Sequence, residues 1–174
     1  MKLGTLEWVP AGERPGLLAV PVARAIADMT EEIAVAPIDP ALADTAAFCE
    51  RYGVGLEESA NCVIVAAKRG GETRYAAVMV LATTRADLNG VIRRHLDARK
   101  TSFAPQADAV EMTGMEFGGI TPIGLPDGWP VLVDAAVARQ PYVVIGSGIR
   151  GSKLALAGES LSRLRAAEVL SLAQ

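Results

Sequence analysis

Apolar and polar residues recur along this chain with two different periods, and the period changes several times. Residues 17–34 place apolar side chains every three or four positions, which predicts a helix. A second helix is predicted after it, because Asp39 suits the N-cap, Pro40 the first helical position and Gly53 the left-handed stop. Its apolar stripe includes Cys49, which we expect to be a small core residue.

The period then shortens to that of strands. Residues 61–69 and 73–82 are β-rich runs, and the Gly70-Gly71-Glu72 segment between them predicts a hairpin. Helical spacing returns at residues 86–100, and a short helix is predicted at 107–113.

The last third of the chain returns to strand-like patterns. Residues 130–134 are an apolar run, and residues 142–146 and 152–156 are predicted strands on either side of a glycine-rich segment. A final helix is predicted over 159–171. This order predicts an α+β fold, in which a mixed sheet packs against outer helices, and not a regular βαβ array.

The glycine-rich segment spells Gly146-x-Gly148-x-x-Gly151, the pattern of a dinucleotide-binding loop. That function requires a helix to begin at the glycines, with its N–H groups directed at a pyrophosphate. The chain instead continues into the alternating stretch Ser152–Leu156, and Gly158 follows soon after. The pattern therefore favours two strands joined by a turn.

Composition narrows the class of protein. The chain has 174 residues, 51% of them apolar, which predicts one domain with a single core. It contains no membrane-length apolar run, no signal-peptide pattern and only two cysteines, so we expect a reduced cytoplasmic protein. The net charge of −3 argues against a protein that binds a long stretch of nucleic acid. It does not argue against one that binds only the end of a nucleic-acid strand.

Several kinds of chemistry have no residues to support them. His95 is the one histidine, and no histidine, cysteine and carboxylate residues share metal-ligand spacing. The chain also lacks a nucleophile elbow and a P-loop. An enzyme with this sequence is expected to work without a metal or another cofactor.

A few residues have both a structural and a functional interpretation. Lys68 ends a buried strand. It is either an exposed surface lysine or a cation that holds an anion in a cleft. The loop 118–124 is a tight turn or a set of N–H donors for an oxyanion. Asp134 is either a turn cap or a partner for a substrate ammonium. Arg93 and Arg94 are solvated or contact a phosphate backbone.

The order of these segments is more specific than any one of them. A lysine at the end of the first hairpin strand is followed by GGITPIG, PVLVD, and a strand that runs into GSG and SKLAL. Over residues 38–172 the chain thus resembles the YbaK/ProX family of aminoacyl-tRNA deacylases, relatives of the prolyl-tRNA synthetase editing domain. The resemblance implies a barrel-like mixed sheet ringed by helices, within a single domain 1–174 that begins with an extension at 1–36.

The resemblance also implies roles for individual residues. Lys68 matches the family's essential lysine and would hold the terminal adenosine, while the backbone at Gly118 and Gly119 would polarise the ester carbonyl. Arg93 and Arg94 are candidate tRNA contacts. The substrate-binding residues implied are Thr121, Pro122, Asp134, Gly146, Ser147 and Gly148.

The implied function is hydrolysis of the ester that joins a wrong, small amino acid to tRNA, with Ala, Cys, Ser and Pro as candidates. The implied partners are the tRNA 3′ acceptor end and prolyl-tRNA synthetase or another synthetase, with the protein a monomer or weak dimer and no membrane involved. Two alternatives stay open. One is a non-catalytic module that binds tRNA or a synthetase, and the other is a nucleotide-binding enzyme that uses the glycine loops.

Overall fold

The computed structural model describes residues 1–174, and its strands form two sheets. The strands are β1 (Val9–Pro10), β2 (Ala34–Pro37), β3 (Ala60–Arg69), β4 (Glu72–Leu81), β5 (Lys100–Phe103), β6 (Val131–Asp134), β7 (Val143–Gly146), β8 (Ser152–Leu156) and β9 (Ala167–Leu170). The α-helices are α1 (Val20–Ala27), α2 (Thr45–Tyr52), α3 (Arg93–His95), α4 (Gln106–Thr113), α5 (Ala135–Ala138) and α6 (Gly158–Ser162).

One sheet has the strand order β1-β2-β8-β7 and the other has the order β5-β3-β4-β6-β9. The second sheet is mixed, because β3 pairs antiparallel with β4 and β5 while β6 pairs parallel with β4 and β9. The predicted α+β class and the predicted hairpin are therefore confirmed. The strands do not close into a barrel. Outside the named strands, a bridge between Ser59 and Val144 joins the start of β3 to β7, so the two sheets meet there.

The main core lies between the sheets, and each sheet also has a second buried face. Along β3, Ile64 packs into the main core while Val65 packs into a smaller cluster with Ile92 and Leu96. Along β8, Leu154 joins the main core, whereas its neighbours face α2. Strands buried on both faces are expected to be almost continuously apolar, as these are.

The first 36 residues contribute to this core. Ala11, Leu18 and Val22 are buried in it, and β2 pairs antiparallel with β8. The helix predicted over 17–34 is wrong at its C-terminal end, since α1 stops at Ala27 and the chain becomes a strand at Ala34. Pairing with β8 overrides the helical spacing of that segment.

Two other predicted helices are also too long. Within 86–100, a π-helical turn (Leu88–Ile92) runs into the three-residue α3, and β5 then begins at Lys100. Within 159–171, α6 ends at Ser162 and the remainder forms β9 against β6. In both cases an edge strand gains a ladder of hydrogen bonds that the local pattern does not reveal.

Local signals correctly predicted other elements. Gly53 ends α2 with φ of 70°, as predicted, but α2 begins only at Thr45. The Asp39 carboxylate accepts a hydrogen bond from the Ala41 N–H and so caps a separate 3₁₀ turn at Pro40–Leu42. Cys49 is buried, as expected, and α4 coincides with the predicted short helix. None of the helices combines the length and the hydrophobicity needed to cross a bilayer.

Candidate functional site

A cleft of about 250 Å³ opens where the two sheets meet. Its walls come from the N-terminal end of α2, the first residues of β3, the loop after α4 and the facing ends of β7 and β8. The polar residues among its lining are Asp44, Thr45, Ser59, Asn61, Cys62 and Lys153.

The glycine-rich segment is the turn between β7 and β8, which pair antiparallel. No helix begins there, so the interpretation of two strands joined by a turn is confirmed. Gly146 lines the cleft, and a Cβ atom on it would lie 2.5 Å from the Gly119 carbonyl oxygen. The Gly148 N–H donates to that same oxygen at 2.7 Å. The turn therefore packs directly against the loop 118–120 and supports one wall of the cleft.

Ser147 lies in this turn but does not reach the cleft. It is fully buried, and its hydroxyl lies 3.1 Å from the carbonyl oxygens of Ile149 and Ser152. The Ser152 hydroxyl donates to it at 2.7 Å. Ser147 therefore holds the turn together, and the structure gives it no role in contacting a substrate.

The loop 118–122 presents only part of the predicted oxyanion site. Gly118 and Ile120 line the cleft, and neither backbone N–H has a hydrogen-bond partner within the chain. The Gly119 N–H already donates to the Glu116 carbonyl oxygen at 3.0 Å, so it cannot serve as a donor to a substrate. The N–H groups of Gly118 and Ile120, and not that of Gly119, are therefore the candidate donors to an oxyanion.

Thr121 and Pro122 point away from the cleft. Thr121 is fully buried, and its N–H donates to the Met115 sulfur at 3.5 Å, while its hydroxyl has no partner. Pro122 lines a separate cavity with Trp129. The structure brings neither residue to the cleft that the glycines line.

Asp134 is a structural cap. Its carboxylate accepts hydrogen bonds from the backbone N–H groups of Ala136 at 3.2 Å, Leu172 at 2.8 Å and Ala173 at 3.3 Å. It starts α5 and fixes the chain that follows β9. The capping interpretation therefore replaces the assignment to a substrate ammonium.

Lys68 is also absent from the cleft. It is exposed at the far end of the hairpin, opposite Thr73 and Lys100 in the sheet register. Asn61 lines the cleft seven residues earlier on the same strand, which is about 23 Å away at the usual rise of a strand. The structure therefore places Lys68 at the surface and does not bring it to the cleft.

Arg93 and Arg94 also lie outside the cleft, on α3. The Arg93 Nε–H donates to the Asn89 carbonyl oxygen at 2.9 Å, which orients its side chain along the preceding helical turn. Arg94 is exposed. Their role as tRNA contacts stays a prediction.

The lysine of the cleft is Lys153, the second residue of β8. Only 7% of it is exposed, and its Nζ donates to the Ala43 carbonyl oxygen at 3.0 Å and lies 5.2 Å from the centre of the Phe48 ring. It forms no ion pair. Burial lowers the pKa of Lys153 from 10.5 to about 8, although the charge of Asp44 partly opposes this shift. A buried cation without a counter-ion is costly unless something binds it.

Four further residues contribute to the polar lining. The Thr45 hydroxyl donates to Asn61 Oδ1 at 2.6 Å, which leaves the amide NH₂ of Asn61 without a partner in the chain. Asp44 begins α2, yet its exposed carboxylate makes no capping hydrogen bond. Burial raises the pKa of the neighbouring Cys62 thiol to about 12, so this thiol is neutral and a poor nucleophile.

The cleft therefore combines several hydrogen-bond donors with one carboxylate. Lys153, the Asn61 amide and two backbone N–H groups can bind a carbonyl oxygen or an oxyanion, and Asp44 can bind an ammonium. No group of three or more histidine, cysteine, aspartate and glutamate residues is placed to hold a metal ion. Lys153 is not among the residues predicted from the sequence, although its position inside the stretch SKLAL was the available signal.

A family model for an aminoacyl-tRNA editing domain matches residues 39–164. A crystallised protein proposed to be a trans-editing enzyme for prolyl-tRNA synthetase has a TM-score of 0.72 at 18% identity, covering 97% of this chain and 99% of that one. A crystallised hypothetical protein has a TM-score of 0.71 at 21% identity, covering 84% and 93%. A protein from Marinobacter aquaeolei, proposed to act in signal transduction, has a TM-score of 0.61 at 17% identity, and the match covers 90% of this chain but 31% of that one.

Proposed function

This chain belongs to the aminoacyl-tRNA editing domain family, and we propose that it is a free-standing deacylase, which hydrolyses the ester of a tRNA charged with a wrong, small amino acid. The observation that carries the proposal is the polar lining of the cleft. An aminoacyl ester has a carbonyl oxygen that accepts hydrogen bonds and an α-ammonium that donates them. The donors of the cleft and the Asp44 carboxylate match these two groups.

In this mechanism a water attacks the ester carbonyl carbon, and negative charge develops on the carbonyl oxygen. The Lys153 ammonium, the Asn61 amide and the free N–H groups of Gly118 and Ile120 stabilise that charge. The bond from the carbonyl carbon to the ribose oxygen then breaks, and the ribose hydroxyl takes a proton. The products are a free amino acid and an uncharged tRNA. An aminoacyl ester is already activated, so positioning and charge stabilisation supply much of the acceleration.

The size of the cleft supports a small amino acid. Its volume of about 250 Å³ lies below the roughly 300–1,000 Å³ typical of pockets for drug-sized ligands. Its apolar walls include Val63, Val144 and Ile145. Such a pocket discriminates mainly by exclusion, at about 1–3 kcal/mol for each methylene. We propose that the protein acts on charged tRNA in the cytoplasm, where a synthetase supplies the mischarged substrate.

A deacylation panel tests the proposal. Purified protein is mixed with tRNAs charged with Ala, Cys, Ser, Pro or Thr, and the charged fraction is followed over time. We expect hydrolysis well above the spontaneous rate for at least one small amino acid and much slower hydrolysis for bulkier ones. If folded protein binds these tRNAs but hydrolyses none of them, the non-catalytic alternative replaces this proposal. A large thermal shift with dinucleotides and none with tRNA would favour the nucleotide-binding alternative.

The pH dependence of deacylation is a second prediction. Because the pKa of Lys153 is lowered to about 8, its ammonium is present below that pH and is lost as the pH rises through it. After correction for spontaneous hydrolysis, we expect the single-turnover rate to fall above about pH 8, approaching tenfold per pH unit. The residual activity of Lys153→Arg should lack this fall, because a guanidinium stays protonated.

The measurement is a series of single-turnover rates from about pH 6 to pH 9 with both proteins. A corrected rate that instead rises through pH 8 in the wild type would show that the neutral amine is the active form. Lys153 would then act as a general base, and the oxyanion would depend on the Asn61 amide and the loop N–H groups alone.

A further inference from the structure

The loop that carries the Gly118 N–H is a β-turn formed by residues 116–119. The Gly119 N–H donates to the Glu116 carbonyl oxygen at 3.0 Å, which closes the turn, and Gly118 stands at its third position with φ of 83°. A φ of about 80° at the third position is that of a type II turn. The peptide group in the middle of this turn joins Phe117 to Gly118, so it supplies the unpartnered N–H at the cleft.

The turn itself does not set the orientation of this central peptide. Type I and type II turns have the same ends, but their central peptides differ by a rotation of roughly 160°. Most residues at the third position disfavour a positive φ, whereas glycine adopts both signs readily. After that rotation, the Phe117 carbonyl oxygen would lie on the side where the Gly118 N–H now lies. An acceptor in place of a donor would repel an oxyanion in the cleft.

Arg150 holds this peptide in its observed orientation. The Arg150 Nη1–H donates to the Phe117 carbonyl oxygen at 3.1 Å. The peptide is trans, so its N–H points to the opposite side from this carbonyl. A Cβ atom on residue 118 would collide with the guanidinium, so glycine leaves the room that Arg150 needs. Arg150 does not line the cleft and therefore acts on the peptide from outside it.

Arg150 is itself fixed in place by the neighbouring backbone. Its own N–H donates to Glu116 Oε1 at 2.7 Å, and the Glu116 N–H donates to the Gly148 carbonyl oxygen at 2.9 Å. These bonds join the turn between β7 and β8 to the first residue of the turn 116–119. The guanidinium is half-buried and forms no ion pair, and a hydrogen bond from a charged donor is stronger than one from a neutral donor. The bond to Phe117 can therefore select one form of the turn.

We propose that Arg150 is a positioning residue of the deacylase, which keeps the Phe117–Gly118 peptide in the type II orientation so that the cleft presents a donor to the ester carbonyl. This inference rests on the proposed function, because the donor matters for the rate only if charge develops on that carbonyl oxygen. Arg150 contacts neither the substrate nor the reacting atoms. Its removal should therefore lower the rate at saturation without weakening the binding of the substrate.

The first test observes the peptide directly and needs no substrate. Phe117–Gly118 is the only place in the sequence where a glycine follows a phenylalanine. Protein labelled with ¹³C at phenylalanine carbonyls and with ¹⁵N at glycines therefore gives a single NMR cross-peak that correlates the two nuclei. We expect Arg150→Ala to shift or split this cross-peak, because the hydrogen bond is lost and both orientations become populated. An unchanged cross-peak overturns the proposal.

The matched control is Arg74→Ala. The Arg74 guanidinium also donates to a backbone carbonyl, that of Leu96, but it lies outside the cleft. We expect this variant to keep both the cross-peak and the wild-type rate of deacylation.

The second test measures single-turnover deacylation at about pH 7. Burial lowers the pKa of Lys153 to about 8, so its ammonium is present at this pH, and removal of a nearby cation can only raise that pKa. We expect Arg150→Ala to lower the saturated rate by about 10- to 100-fold, the effect of one hydrogen bond to a charged group, while the half-saturating concentration stays within about twofold. Free guanidinium ion, added at concentrations that leave the melting temperature unchanged, should restore part of the rate in Arg150→Ala and leave the wild type unaffected.

The two proposals fail separately. The NMR experiment reports the orientation of the peptide even if no charged tRNA is hydrolysed. A protein that hydrolyses charged tRNA, but whose Arg150→Ala variant keeps the wild-type rate, overturns the positioning role and leaves the deacylase intact. A lowered rate that guanidinium does not restore, together with a lowered melting temperature, assigns Arg150 to stability alone and also overturns the positioning role.

Discussion

Lys153→Met is expected to lower the single-turnover rate of deacylation by about a hundredfold or more, the usual cost of removing one donor to an oxyanion. The substitution keeps the aliphatic length of the side chain and removes only the cation that faces the cleft. Its effect on stability should be small or favourable, because Lys153 is buried without an ion-pair partner. Lost activity combined with an unchanged or higher melting temperature would mark a group retained for chemistry.

Lys68→Met is the matched control for this experiment. The same chemical change is made on an exposed residue about 23 Å along β3 from the cleft. We expect the single-turnover rate of Lys68→Met to stay within about twofold of the wild type and its melting temperature to be unchanged. A folded Lys153→Met protein with normal turnover would remove Lys153 from the mechanism, and a large loss in Lys68→Met would restore the role inferred from sequence.

Gly119→Ala is expected to lower the melting temperature by roughly 2–10 °C and to reduce deacylation with it. A Cβ atom on Gly119 would lie 2.6–2.9 Å from the backbone atoms of Ile149, and backbone cannot rotate away as a side chain can. The loop 118–120 must therefore move off the turn that supports it. That movement displaces the N–H groups of Gly118 and Ile120, which face the substrate in the proposed mechanism.

The control is Gly16→Ala, because no atom lies within 4 Å of the added methyl group and its backbone does not have a positive φ. Thermal melts and single-turnover rates are measured on the same preparations. We expect Gly16→Ala to match the wild type in both. If Gly119→Ala also matches the wild type in both measurements, the loop 118–120 does not pack against the turn between β7 and β8. The wall of the cleft then has another support.

Elements with local signals were predictable from the sequence, and elements made by pairing were not. The Asp39 cap of the 3₁₀ turn Pro40–Leu42, the Gly53 end of α2 and the β3–β4 hairpin depend on residues close together in the chain. The strands β2, β5 and β9 form because distant strands offer them partners, and their own patterns resemble helices.

The residues of the candidate site were likewise only partly predictable from the sequence. The glycine turns were found because glycine marks close backbone approach, as at Gly146 and Gly148. The sequence does not reveal that Lys153 lines the cleft and Lys68 does not, because the face of a strand that meets the cleft depends on how two sheets join. Asp134 has the sequence context of either a cap or a ligand, and only the positions of Leu172 and Ala173 decide between them.

The strands β2 and β9, which pair with β8 and β6, have a consequence for the design of truncated fragments. The family model spans residues 39–164, so a fragment trimmed to those limits lacks both strands. Its two sheets would then expose the edges of β8 and β6, whose residues are all buried and mostly apolar. Open apolar edges recruit strands from other molecules and lead to aggregation. A recombinant fragment that is meant to stay monodisperse should therefore include the segments on both sides of the family match.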